Sequence, residues 1–482
     1  VHGWALVGGS LYVASLSIQP QQVFVDGNFG DRKPSLGEVT SNLDWYWEAN
    51  QLYLYSSTGD PDIAFDNPGV EAGSRSLCSI LKGDHVVITG ITARHSNRNG
   101  FSGWNPGSNV TIRNCLAEWN WYKGIAMEGD DSLYENTVIE DNVTRFNGIG
   151  GIGLSGPGKN SIIRRNKCLS NGKYQSAEYV YDGMQQWTFG IKLFENETNF
   201  QEGNEIYENQ VYDNGRGHPE DKQGRGTGIW IDTVPGKPAN PIVIRHNLVY
   251  SNKGNGIFIE ISSNTVVFGN LLHNNASNER GTGGATPANI VIDSRLDYQS
   301  DNNLVYSNTL YGGRAGIKLN TYGQSSGCSI NNNQVKNNIV IGASEHRLLC
   351  DSGGDNDGVW GVGNVYEHNS FGEESDDFIS WNATRYNTYA DWESAYGGPS
   401  HSIEGDPQLA GTSRNDLYLT ASSPCRDAGA DLGPVYDDAL LELSGWVDSV
   451  ETSDQDWYGG GWDVGAYLYS GFNPILFADG FE

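Results

Sequence analysis

Apolar and polar residues alternate in short bursts along most of the chain, and glycine or asparagine separates the bursts. Gly228 to Val234 reads GIWIDTV, and about one repeat later Gly256 to Ser262 reads GIFIEIS. In each, the second and fourth residues are apolar: Ile229 and Ile231, then Ile257 and Ile259. The third and fifth, Trp230 and Asp232, then Phe258 and Glu260, project from the other side if the stretch is a strand. The same strand recurs as GIAME at 124, GIGLS at 151, GIKLF at 190, NIVID at 289 and GIKLN at 316. Shorter strands of the same alternation precede them: VTIRN at 110, IIRRN at 162, IVIRHN at 242, TVVFGN at 265 and LVYSN at 304.

Between these strands lies a motif with one asparagine, an apolar residue two places on, and a second asparagine five places on. It runs Asn142 to Asn147, Asn166 to Asn171, Asn209 to Asn214, Asn247 to Asn252 and Asn270 to Asn275, with weaker copies from Asn114, Asn308 and Asn338. One unit is therefore strand, Asn turn, strand, turn, strand, repeated every 23 to 43 residues. A period in this range is the mark of a solenoid, because one unit alone cannot bury its apolar side. Stacked asparagines at one corner can form amide ladders that satisfy the turn backbone. The longest variation falls between the second Asn and the glycine strand, at 172–189, 215–227 and 276–288. Insertions at one point of successive coils rise from one edge of the stack and would wall a groove there.

Three short strands per coil with corner asparagines resemble the right-handed parallel β-helix of the pectate-lyase-like superfamily, over about residues 75 to 370. The expected fold class is all-β, a right-handed parallel β-helix over residues 76–370. Residues 1–75, with the strands LYVAS, QVFVDG and QLYLYSS, are expected to cap the open edge of the first coil. LYLYSSTGDP resembles the N-terminal cap of secreted β-helix carbohydrate enzymes. Residues 371–482, including DPQL at 406 and DVGAY at 463, resemble the closing segment of such proteins and read as a C-terminal cap and tail.

The charge narrows the partners. Lys+Arg 30 against Asp+Glu 59 leaves a formal net charge of −29. Such a surface disfavours nucleic acid and anionic membranes, and argues against a polyanionic substrate. No run of eighteen apolar residues is present, so no membrane-spanning helix is expected. The chain starts Val1-His2-Gly3, as after removal of a leader, and a secreted or periplasmic location is expected. The six cysteines lack CxxC spacing, which leaves out a zinc site. Cys328 and Cys350, one repeat apart, are either a disulfide or two buried thiols.

Candidate chemistry lies on the outward positions of the glycine strands. The fifth position runs Glu128, Ser155, Phe194, Asp232, Glu260, Asp293, Asn320, and the third runs Ala126, Gly153, Lys192, Trp230, Phe258, Val291, Lys318. Coils stack about 4.8 Å apart, so Asp232, Glu260 and Asp293 form consecutive rungs. Like charges this close cannot all ionise without cost, and one carboxyl should keep its proton. A protonated carboxyl beside an ionised one is what glycoside hydrolysis uses. GIWID followed by GIFIEIS is similar to the paired strands of β-helix glycoside hydrolases such as the β-helix β-xylosidase family. That resemblance implies Asp232 as nucleophile and Glu260 as acid/base; the β-sandwich inserted in that family has no counterpart here.

Trp230 and Phe258 are expected to be outward aromatics on which sugar rings stack, or which a loop covers. Lys192, Asp293, Glu128, Tyr181 and Trp187 are the other candidate substrate contacts, with Tyr179, His218, Glu220 and Asp221 in the long loops. Acidic neighbours are expected to push the Lys192 pKa up. His95 reads as a satisfied turn histidine. DSGGDNDG, Asp351 to Gly358, hints at a structural calcium ion but lacks the full ligand series, and no other cofactor is expected. The leading expectation is a retaining glycoside hydrolase acting on a plant or algal polysaccharide or oligosaccharide. A lyase or epimerase using Lys192 as base, and a non-catalytic carbohydrate-binding solenoid, are the alternatives.

Overall fold

A computed structural model describes residues 1–129, 133–173, 187–195, 201–215, 226–277, 286–295, 298–322, 328–350, 361–382, 384–442, 446 and 450–471. The repeats stack into a right-handed parallel β-helix. Among the described residues, three sheets of parallel strands run its length, of ten, nine and eleven strands, and an antiparallel strand, Thr384–Tyr386, pairs with the end of the third. The first holds strands such as Ile242–Arg245, the second Leu248–Tyr250, and the third the glycine strands, from Leu77–Leu81 to Ile379–Trp381.

Alternation sorts the side chains as the pattern requires. Ile191, Leu193, Ile229, Ile231, Ile257, Ile259, Ile290, Ile292, Ile317 and Leu319 of the third sheet all point inward into one continuous core. The three-residue strands of the other sheets add one inward residue each, such as Ile206 and Val211.

The turn between the first and second sheets is where the asparagines work. Asn142, Asn166, Asn209, Asn247, Asn270, Asn308, Asn338 and Asn369 form one ladder, each amide N–H donating to the next amide oxygen at 2.9–3.0 Å. A second ladder, at the turn before the third sheet, runs Asn120, Asn147, Asn171, Asn214, Asn252, Asn275 and Asn289 at 2.8–3.1 Å. The residue before each asparagine turns the chain through the left-handed region: Arg165, His246, Ser307, Phe146, Ser170 and Ser251 have φ between 49° and 56°. The glycine that starts each third-sheet strand is needed for close approach. A Cβ on Gly228 would lie 2.6 Å from the Gly256 carbonyl oxygen and 2.9 Å from Asn252 Nδ2. Asn289 stands where the other coils have this glycine. It fills the ladder slot that its own neighbouring coil, with Gly313 in place of an asparagine, leaves open.

The two ends are closed differently. At the start, an antiparallel sheet contains Leu11–Ser15, Asp44–Glu48 and Gln51–Tyr55, over its own cluster around Trp45. The His95 ring stacks on Phe24 at 3.9 Å and sits in a turn with φ 60°, a structural role as expected. At the far end, the helix Tyr389–Tyr396, capped by Thr388 and stopped by Gly397 at φ 97°, buries Tyr389 and Trp392 beneath the last coil. Beyond it the chain does more than cap. The described part of residues 403–471 folds back along the outside of the first two sheets, where Leu417, Leu440 and Tyr467 cover Leu248 and Leu271, and Tyr436 covers Phe268 and Tyr306. His246 Nε2 meets the Asp438 carbonyl at 3.1 Å along this seam.

Cys328 and Cys350 are not bridged; all six thiols are free. Alternation turns Cys350 into the core, where it donates to the Tyr366 hydroxyl at 3.3 Å. Cys328 instead lies 3.2 Å from Ser294 Oγ, on the rim.

Removing one ladder asparagine should therefore cost much more than a surface change. Asn247 accepts from the Asn209 backbone and amide N–H, both at 3.0 Å, and donates to the Ile206 carbonyl at 2.9 Å. Asn247→Ala strands these buried groups, at about 1–3 kcal/mol each, and urea melts should show a loss of at least about 3 kcal/mol.

Candidate functional site

The third sheet brings the sequence candidates into one register. Strand pairing aligns Glu128, Ser155, Phe194, Asp232, Glu260, Asp293 and Asn320 rung by rung. The third positions align likewise, Lys192 with Trp230, Trp230 with Phe258, Phe258 with Val291, and Val291 with Lys318. The outward face of this sheet is not open, however. Asp232 is 8% exposed, Glu260 1% and Asp293 4%.

Trp230 and Phe258 are the main correction. Neither is an exposed platform: Trp230 is 1% exposed and Phe258 2%. They stack on each other at 5.6 Å and pack with Phe189, Ile149, Val291, Ala288 and Ala315 into a second apolar cluster on the outside of the sheet. Large apolar side chains on an outward face are stable when buried against one another, and here consecutive rungs supply the partners. Trp187 is 37% exposed and sits 5.6 Å from the Trp230 ring.

Lys192 and Asp232 are a contact pair. Lys192 Nζ lies 2.6 Å from Asp232 Oδ2 and 3.5 Å from the centre of the Trp230 ring. The other oxygen, Asp232 Oδ1, accepts from Thr233 Oγ1 at 2.9 Å. Burial pulls the Lys192 ammonium below the ordinary lysine range, against the opposing pull of Asp232 and Glu260. The expectation of an upward shift is thus reversed, because the loss of water outweighs the nearby negative charge.

Lys318 was visible in the third-position run but was not singled out. It is buried at the other end of the carboxylate row, two residues from Asn320, which pairs with Asp293. Three carboxyls, Asp232, Glu260 and Asp293, thus lie between two lysines on one face. Two ammonium groups balance two carboxylates, and a buried group of this kind is neutral when the third carboxyl keeps its proton. One protonated and one ionised carboxyl on adjacent rungs is a pair able to donate a proton and attack a carbon in the same step.

Glu128 does not join them. It is three rungs from Asp232, about 14 Å at strand spacing, and is held by Lys123 at 3.0 Å and Arg98 at 3.6 Å. Tyr181, Tyr179, His218, Glu220, Asp221 and the Asp351–Gly358 stretch lie outside the described residues.

Backbone strain marks the same place. Among the described non-glycine residues with positive φ, only Thr233 (57°) and Ile261 (51°) are β-branched. They directly follow Asp232 and Glu260. β-Branched side chains rarely enter this region, and each such residue costs about 1–3 kcal/mol. Sequence reasoning had no signal for this, since neither residue type announces a left-handed turn.

A cleft of about 260 Å³ opens beside the row, over Gly153 and Ser155, and reaches Lys192 and Phe194. Its walls include Tyr122, Lys123, Trp187 and Phe189.

Comparison with known proteins agrees on the architecture. The right-handed β-helix region family matches residues 99–295. No curated protein matches the sequence. Among solved structures, the chain is similar to XylC, solved in complex with xylose, at 13% identity over 85% of this chain and 75% of that one, with a TM-score of 0.52. It is also similar to the A-module of the Azotobacter vinelandii mannuronan C-5 epimerase AlgE4, at 16% identity over 55% and 61%, with a TM-score of 0.40. The catalytic domain of a GH87 α-1,3-glucanase in complex with tetrasaccharides aligns at 10% identity over 83% and 91%, with a TM-score of 0.39. At such identities the likeness speaks to the fold.

If the turn at Ile261 is strained, asparagine should suit it, because its short side chain tolerates the left-handed region. Ile261→Asn is expected to leave the unfolding free energy unchanged or raise it by up to about 1 kcal/mol, measured by denaturant melts. Loss of a half-buried isoleucine from relaxed backbone would lower it.

Proposed function

We propose that this chain is a carbohydrate-active enzyme, a glycoside hydrolase that acts outside the cytoplasm on a polysaccharide or oligosaccharide. The observation that carries the reading is the row of buried carboxyls on adjacent rungs with a lysine at each end. Asp232 is the nucleophile and Glu260 the acid/base. An Asp232 oxygen bonds to the anomeric carbon while the bond from that carbon to the leaving oxygen breaks, and the Glu260 carboxyl gives that oxygen its proton. Water then attacks the same carbon, yields a proton to the Glu260 carboxylate, and releases Asp232. Adjacent rungs at about 4.8 Å suit the roughly 5–5.5 Å carboxyl separation of a retaining mechanism. Lys192, 2.6 Å from Asp232 Oδ2, orients that carboxyl and turns to a sugar hydroxyl as the substrate arrives. The xylose bound to XylC, which shares the fold, supports a sugar ligand.

A second reading, a lyase or epimerase with Lys192 as base, draws on the downward pull of burial on that ammonium. The 2.6 Å contact with Asp232 speaks against it, because the nitrogen that would take the sugar's proton already faces that carboxylate. Assays on a polysaccharide panel, read by reducing ends and ultraviolet absorbance together, separate the two: hydrolysis gives new reducing ends without an unsaturated product.

Asp232→Asn and Glu260→Gln should each lower kcat by at least about a hundredfold with unchanged thermal unfolding; wild-type turnover in either variant would refute the assignment. Lys192→Met should lower kcat by about tenfold or more, because Asp232 loses its partner at 2.6 Å. Wild-type turnover in the folded variant would show that Lys192 does not act on the nucleophile.

A further inference from the structure

The outward positions of the third sheet carry long side chains on most coils, but not on the strand Gly150–Ser155. There the third and fifth positions are Gly153 and Ser155, paired with Ala126 and Glu128 on one side and Lys192 and Phe194 on the other. The cleft of about 260 Å³ is the space this coil leaves. It is large enough for one sugar ring and too small for an extended chain. Trp187 and Phe194 at its rim are 37% and 39% exposed, the most open aromatics of its lining, on which the apolar face of a pyranose can stack.

The charge of the lining is balanced. Lys123 Nζ lies 3.0 Å from Glu128 Oε1, and Lys192 Nζ lies 2.6 Å from Asp232 Oδ2. Arg98, beyond the lining, reaches the other Glu128 oxygen at 3.6 Å. The two ammonium groups keep hydrogen-bond donors for hydroxyls, while their charges are already answered by carboxylates. A uronate would compete with Glu128 and Asp232 for them and meet the field of a chain with net charge −29. We propose that this cleft binds one uncharged pyranose of the substrate next to Asp232, and that Gly153, by having no side chain, sets the size of the ring admitted.

Gly153 lends itself to a test. Its φ is outside the left-handed region, and the atoms nearest to a Cβ there belong to the flexible end of Lys123, Cδ at 3.2 Å, Cε at 3.4 Å and Nζ at 3.5 Å. Gly153→Ala should narrow the cleft and Gly153→Leu should fill it without straining the backbone. The inference rests on the glycosidase reading for the identity of the site but is read by binding, not turnover. Methyl β-xyloside, methyl β-glucoside and glucuronate are titrated by saturation-transfer NMR into the wild type, both Gly153 variants and Asp232→Asn. At least one neutral glycoside should bind the wild type. Its affinity should fall roughly tenfold or more in Gly153→Leu, with a smaller loss in Gly153→Ala, and survive in Asp232→Asn. Circular dichroism melts check that the variants are folded, and an unfolded Gly153→Leu leaves Gly153→Ala to decide. Wild-type affinity in the folded variants, tighter binding of glucuronate than of both glycosides, or no binding of either glycoside would overturn the proposal. Loss of hydrolysis in Asp232→Asn with wild-type sugar binding in Gly153→Leu would refute this inference alone. Full hydrolysis in Asp232→Asn with binding lost in Gly153→Leu would refute the catalytic assignment and leave the cleft in place.

Discussion

Everything on the working face depends on coil-to-coil registration, and buried amide ladders enforce it. Asn247 shows how: its side-chain oxygen accepts from the N–H groups of Asn209 on the preceding coil, and its N–H donates to the Ile206 carbonyl of that coil and to the amide oxygen of Asn270 on the next. These bonds lie in the dry interior, where an unmade partner is costly. A slip by one residue would break the ladder and turn every inward isoleucine outward. The glycines that open the third-sheet strands serve the same constraint, since they let each coil settle against the amides of the next.

With register held, chemistry at one position of one coil meets chemistry at the same position of the next. That is how Asp232, Glu260 and Asp293, far apart along the chain, become neighbours. The arrangement is electrostatically unfavourable taken alone, and the lysines at its ends, Lys192 at 2.6 Å from Asp232 among them, make it tolerable. The strained turns after Asp232 and Glu260 indicate that the fold meets a further cost at this point, where the surrounding stack holds the backbone in place.

The apolar cover of the face is a second consequence of stacking. Trp230, Phe258 and Phe189 sit at outward positions, yet rungs about 4.8 Å apart let them bury one another. On the other two sheets the same problem is solved by the described part of residues 403–471, which lies across outward leucines and tyrosines. The coil with Gly153 and Ser155 interrupts the cover, and the cleft lies where the outward side chains are smallest.

Much of this was legible in the sequence. Alternation with period two, the two asparagines per coil and the leading glycine sufficed for the fold and for the rung alignment, because a solenoid converts sequence period directly into spatial neighbourhood. The row from Asp232 to Asp293 followed from that alone. Several features did not follow. Whether an outward aromatic is open to a sugar or covered depends on side chains from neighbouring rungs, so only the packed structure decided between the two options for Trp230 and Phe258. The direction of the Lys192 shift is a balance of desolvation against Coulomb attraction, and only the depth of burial decides it. The course of the C-terminal segment along the flank, and the failure of Cys328 and Cys350 to meet, depend on contacts between parts of the chain that share no repeat. The local pattern determines which residues face each other across coils; only the packed structure determines how much water remains between them.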